Sequence, residues 1–126
     1  ISDLYEYLSK RKKVLIVDEL YNGLYYGTRP QSALTISDGI IVINGFSKTH
    51  AMTGWRLGWT VVPEELIRPI QKVAQNVFIS PPSVSQYAAL HAFSSKRDLE
   101  NMRKTYHSRR DFTPGRDGGH HKGIFQ

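Results

Sequence analysis

Lys48 lies in the run Phe46-Ser47-Lys48-Thr49-His50-Ala51-Met52-Thr53-Gly54-Trp55-Arg56, which sets one primary amine eight positions ahead of one guanidinium. Thirty residues upstream of the lysine stands Asp18, opening the stretch Asp18-Glu19-Leu20-Tyr21. A neutral lysine amine is both a nucleophile and a base. The planar fork of an arginine presents paired donors that suit a phosphate. An amine and a guanidinium beside a carboxylate and a phenol would therefore suit an anionic ligand that carries an aldehyde. Each residue also has an ordinary alternative: a surface lysine, a turn-capping aspartate, a packing tyrosine. What decides between them is whether the fold brings the groups to one place.

Val14-Leu15-Ile16-Val17 is a continuous aliphatic run that ends at Asp18, the pattern of a strand buried on both faces. Gly39-Ile40-Ile41-Val42-Ile43 repeats it and meets the turn-forming pair Asn44-Gly45. Lys48 then follows directly. Residues 19 to 38 give enough chain for a crossover between parallel neighbours, and Gly23, Gly27 and Pro30 make that connection more loop than helix. Leu57-Gly58-Trp59-Thr60-Val61-Val62 is a third strand. Too few residues separate it from the second for a parallel return, so it is expected to run antiparallel. Its start then lies at the same sheet edge as the ends of the other two, where open α/β sheets bind ligands. Strand direction alone thus draws Asp18, Lys48 and Arg56 together, provided the three strands share a sheet.

Helices frame this sheet. Ser2 to Leu8 reads as an amphipathic helix closed by Lys10-Arg11-Lys12-Lys13, cations suited to the negative end of its dipole. Pro63-Glu64-Glu65 opens another, with Leu66, Ile70, Val73, Ala74 and Val77 as its apolar stripe and Pro69 expected to kink or restart it. Ser83-Val84-Ser85-Gln86 has the form of a capping box before a helix from about Val84 to Phe93. Asp98 to about Asp111 is a polar helix with Leu99, Met102 and Tyr106 as its buried stripe, and residues 95–111 are expected to lead toward a second domain. Residues 112–126 fit neither period and read as an irregular or disordered tail.

The 126 residues carry 17 basic and 11 acidic side chains, a net charge of +6 that raises the question of nucleic acid. Lys96, Arg97, Arg103, Lys104, Arg109 and Arg110 read instead as solvated helix faces, and no helix-turn-helix, zinc or RNA-binding signature is present. With no cysteine there is no disulfide framework, and cytoplasm is the default compartment. No apolar run approaches the roughly 20 residues that span a bilayer. His120 and His121 lack an acid or cysteine at ligand spacing, so no metal is expected. Starting at Ile1, on a helix with nothing before it to pack against, the chain is expected to be a piece of a longer one.

Val17-Asp18-Glu19-Leu20-Tyr21, Gly45-Phe46-Ser47-Lys48-Thr49 and Met52-Thr53-Gly54-Trp55-Arg56-Leu57-Gly58, in this order and spacing, closely resemble the class I/II aminotransferases of the aspartate-aminotransferase superfamily. The resemblance covers about Leu4 to Asp111. It implies an α/β fold: residues 1–111 as part of the large domain of a fold type I enzyme, with a mostly parallel sheet, one antiparallel strand and helices packed on it. It implies pyridoxal 5'-phosphate held by Lys48 as an aldimine, and amino-group transfer between an amino acid and a 2-oxo acid. Asp18 would pair with the pyridinium nitrogen, Tyr21 with the ring's phenolic oxygen, and Ser47 and Arg56 with the phosphate. The family often carries a serine three residues before the lysine; here that position is Gly45.

Members are usually homodimers and several times longer, with a phosphate loop, a ring-stacking aromatic and an asparagine upstream and a carboxylate-binding arginine downstream. None of these is identifiable here, so the chain by itself is expected to be inactive. A lyase of the same superfamily and a non-catalytic remnant are the alternatives. Tyr25 and Tyr26 are expected to pack as apolar groups, Trp55 and Trp59 to sit in a core or interface, and nothing fixes the direction of His50.

Overall fold

The computed structural model describes residues 1–112. His120, His121 and nearly all of the expected tail lie outside them. Phe112, placed in that tail from sequence, is instead the last residue of a helix.

The first helix, α1 (Ser2–Ser9), stops where Lys12 takes a left-handed backbone and Lys13 N–H turns back to Leu8 O at 3.0 Å. Strands β1 (Ile16–Asp18), β2 (Ile41–Gly45) and β3 (Gly58–Val61) form one sheet in that order. β1 and β2 are parallel, with Asp18 opposite Ile43. β2 and β3 are antiparallel, with Gly45 opposite Gly58. The expected strand directions hold, while β1 and β2 lie about two residues later than the aliphatic runs alone suggested.

The connection between β1 and β2 is loop, as its glycines implied, apart from a single turn of 3₁₀ helix at Ala33–Thr35. Glu19 holds it. This buried carboxylate accepts from Ala33 N–H at 2.6 Å, Ser32 Oγ at 3.0 Å and Asn22 Nδ2 at 3.2 Å, so the backbone donor of a buried turn is satisfied from 14 residues away. Ala33, Ile40 and Val42 form the core beneath the turn, lined by Tyr5, Leu15, Val17 and Leu34. Tyr5 also ties α1 to the start of β2, accepting from Ser37 Oγ at 2.8 Å.

One expectation fails at β1. Val14 is 61% and Ile16 58% exposed, so the aliphatic run is covered on one side only among the described residues. The run was written for two covered faces, and the described elements supply one.

Three helices complete the order: α2 (Glu64–Val77), α3 (Ser83–Ala92) and α4 (Lys96–Phe112). Pro69 does not restart α2, which runs unbroken past it; its missing N–H leaves Glu65 O without the usual partner. Of the expected stripe only Leu66 and Ala74 are half-buried, and Ile70, Val73 and Val77 are exposed. The capping box does not form. Ser83 is the first helical residue, Pro82 occupies the cap, and Gln86 Nε2 donates to Pro81 O at 2.9 Å instead. In α4, Leu99 and Met102 are half-buried but Tyr106 is 41% exposed. No helix among the described residues is long and apolar enough to cross a membrane.

Candidate active site around Lys48

The loop that carries Lys48 runs from the end of β2 to the start of β3 and closes on itself. Phe46 is its plug. Its side chain is buried with Met52 and Ala89 and makes edge contacts with Trp59 and Phe93 at centroid distances of 5.1 and 5.0 Å. Its carbonyl accepts both His50 N–H at 3.1 Å and Met52 N–H at 3.3 Å, and its own N–H bonds Leu57 O at 3.3 Å. Thr53 Oγ1 donates to Ser47 O at 2.8 Å, which fastens the far limb of the loop beside the lysine. Ala51 and Arg56 both adopt left-handed backbone, the conformation that turns the chain back toward β3. Trp59 meets the Phe46 ring edge-on but is 39% exposed, and Trp55 is 42% exposed, so among the described residues neither is buried in a core.

Register then fixes where the chemistry lies. Asp18 ends β1, Lys48 follows β2 by three residues, and Arg56 precedes β3 by two, so all three belong to one edge of the sheet. Lys48 Nζ sits 5.8 Å from the centre of the Tyr21 ring, within cation–π range. Lys48 and Ser47 are half-buried, while Asp18, Tyr21 and Arg56 are exposed, and the site is open.

The functional ends of these side chains are only partly committed. Asp18 Oδ1 accepts from Leu20 N–H at 2.9 Å, so the turn-capping role is real, but it occupies only one of two oxygens. Arg56 Nη1 donates to Thr53 O at 3.0 Å, a local bond that leaves most of the fork free. Among the described residues, neither Asp18, Lys48 nor Arg56 takes part in an ion pair; the four pairs present are local contacts on α1 and α4. A carboxylate, an amine and a guanidinium at one sheet edge that do not neutralise one another form a receptive set for a ligand bearing complementary groups. Pyridoxal 5'-phosphate has these: a basic ring nitrogen, an aldehyde, a phenolic oxygen and a dianionic phosphate.

Residues 1–113 match the family model for aminotransferase class I and II. This chain belongs to that aminotransferase family. It is 43% identical over 113 residues to a (5-formylfuran-3-yl)methyl phosphate transaminase of Methanocaldococcus jannaschii, a match covering 86% of this chain and 30% of that protein. It is 38% identical over 114 residues to an aspartate aminotransferase of Sulfurisphaera tokodaii, covering 88% and 29%. The crystal structure of an aminotransferase from Mycobacterium tuberculosis superposes with a TM-score of 0.81 at 36% identity, over 87% of this chain and 31% of that one. The chain thus spans about 30% of the length of the relatives it matches, and its α/β architecture is that of a stretch of the fold type I aminotransferases.

Several contacts of this aminotransferase stretch were not legible in the sequence. Thr49 is buried, its hydroxyl 2.8 Å from His50 Nδ1 and 3.4 Å from Gly45 O, which gives His50 the direction that the sequence left open. Burial lowers the His50 pKa below its ordinary value. Tyr25 and Tyr26 do not pack as plain apolar groups: Arg103 and Arg110 each stack over one of them at 4.4 Å. Arg103 and Arg110, expected on a solvated face of α4, are therefore engaged. No local periodicity signals such a pairing, because its partners lie about eighty residues apart.

Proposed function

We propose that this stretch carries the lysine-bearing part of a pyridoxal-5'-phosphate site, and that the protein transfers an amino group between an amino acid and a 2-oxo acid. The observation that carries the reading is the unpaired set at the sheet edge: Asp18, Lys48 and Arg56, free of ion pairs, with the Tyr21 ring beside the amine. Membership of the aminotransferase family supports the same chemistry.

When bound, the cofactor supplies an aldehyde conjugated to an electron-accepting ring. The chain's own residues do the rest. Lys48 Nζ would hold the aldehyde end and, once free and neutral, would move the proton between the substrate Cα and the carbon that was the aldehyde. Asp18, through the oxygen that the Leu20 amide leaves open, keeps the proton on the ring nitrogen. Tyr21 donates its hydroxyl hydrogen to the phenolic oxygen, and the Arg56 fork with the Ser47 hydroxyl binds the phosphate.

Residues 1–111 would then belong to the cofactor-binding large domain, with 95–111 leading toward a small one. The open site and the exposed Ile70, Val73 and Val77 of α2 support assembly as a homodimer. The full-length protein, loaded with pyridoxal 5'-phosphate and given a panel of amino acids, is expected to release a 2-oxo acid, and its Lys48→Ala variant to release none. A folded, loaded protein that transaminates no donor would contradict the proposal.

A further inference from the structure

Gly23 stands two residues after Tyr21, and its backbone is not in the left-handed region, so conformation does not require a glycine there. Space does. A Cβ at Gly23 would lie 2.7 Å from Thr49 Cγ2 and 3.3 Å from Thr49 Cβ, with Leu99 Cδ2 of α4 at 3.9 Å. Thr49 cannot easily retreat, because it is buried and its hydroxyl is held between Gly45 O and His50 Nδ1. The turn on the other side is also braced: Leu24 N–H bonds Tyr21 O, Asn22 N–H bonds Glu19 O, and Glu19 N–H bonds Ile43 O of β2, each at 2.8 Å. The threonine methyl therefore meets the glycine face between two short, stiff segments. One carries Tyr21 and the other carries Lys48.

We propose that Thr49 is a positioning residue that, through its contact with Gly23, sets the distance between the Lys48 amine and the Tyr21 ring. What that distance serves rests on the cofactor reading above; the contact itself does not. Filling the gap pushes the tyrosine turn off the lysine loop, and emptying it lets the two drift, so both changes uncover the amine.

The test uses the full-length protein and three variants: Gly23→Ala, Thr49→Ala and the double variant Gly23→Ala with Thr49→Ser, in which loss of the threonine methyl makes room for the new one. Two readouts are taken. Without cofactor, the rate of Lys48 acetylation is followed by mass spectrometry; with pyridoxal 5'-phosphate, the pH midpoint of the visible absorbance is measured. Both single variants are expected to acetylate Lys48 faster and to shift the midpoint, with turnover falling by about tenfold for a displacement under an ångström. The double variant is expected to return both readouts toward the wild type, which a merely structural role for Thr49 would not produce. If Gly23→Ala does not fold, Thr49→Ala and the double variant decide the question. Unchanged acetylation and midpoint in Thr49→Ala, or a double variant no closer to wild type than Gly23→Ala, would overturn the inference. A wild type with no Lys48-dependent absorbance would refute the cofactor reading instead, and acetylation alone would then decide the positioning role.

Discussion

Gly45, the last residue of β2, lies directly opposite Gly58, the first of β3, and the two backbones approach so closely that a Cβ would be crowded at Gly45 and would meet backbone at 2.7 Å at Gly58. This contact closes the mouth of the lysine loop. Lys48 leaves from one side of it and Arg56 arrives at the other. The serine that the family often carries at the place of Gly45 would set its Cβ 3.1 Å from Gly58 Cα and from Leu57 O, so glycine here permits a tighter pairing.

Gly58→Ala tests that closure. The added methyl would meet Asn44 O at 2.7 Å, a backbone atom on the central strand that has little freedom to move. Urea unfolding is expected to show a loss of about 1–3 kcal/mol, the usual range for overpacking a tight site. A change of less than half that range would mean that the strands separate easily.

Arg56→Gly separates binding from folding. The left-handed backbone at Arg56, φ 51° and ψ 46°, costs a side-chain-bearing residue about what glycine forfeits in chain entropy, so stability is expected to stay within about 1 kcal/mol. Removing a charged donor pair to phosphate costs about 1.5–3 kcal/mol, or more than tenfold in cofactor affinity. Fluorescence titration with pyridoxal 5'-phosphate checks this. Equal affinity for the two proteins would remove Arg56 from the site.

Glu19→Ala is expected to cost about 1–3 kcal/mol in a thermal or urea melt, because it strands the buried Ala33 N–H and frees Ser32 and Asn22. The damage should spread to the β1–β2 connection, read as faster amide exchange at residues 32–36. Protection unchanged from wild type would show that the turn stands without the carboxylate.

His50 gives the fold a pH dependence of known sign. Burial holds its folded pKa below the ordinary value of 6.5, so the unfolded chain binds the proton more readily. The corresponding stability is present above pH 6.5 and is lost as pH falls from there through the folded value. Melts between pH 7.5 and 5 are expected to fall less steeply for His50→Gln than for the wild type. A parallel fall in both would assign the dependence to other groups.

Much of the sheet was readable because β-branched runs and short connections leave few choices. Ile41 to Ile43 had to be a strand, and the short link to Trp59 had to reverse it. The shared edge of Asp18, Lys48 and Arg56 followed from that alone. What stayed hidden depends on partners distant in sequence: Glu19 reaching to Ala33, Thr49 filling the space beside Gly23, Arg103 stacking on Tyr25. The sequence also misled where a local rule met a stronger neighbour. Ser83 looked like a cap, but Pro82 has the fixed φ and extended ψ that suit the position before a helix, and Ser83 became the first helical residue.

The most direct measurement is to incubate the protein with pyridoxal 5'-phosphate, reduce with borohydride and map the modified lysine by mass spectrometry. The label is expected on Lys48 ahead of every other lysine, and to vanish in Lys48→Ala. Label shared evenly with exposed lysines such as Lys10, Lys13 and Lys72, or unaffected by the Lys48 substitution, would contradict the assignment of this edge as a cofactor site.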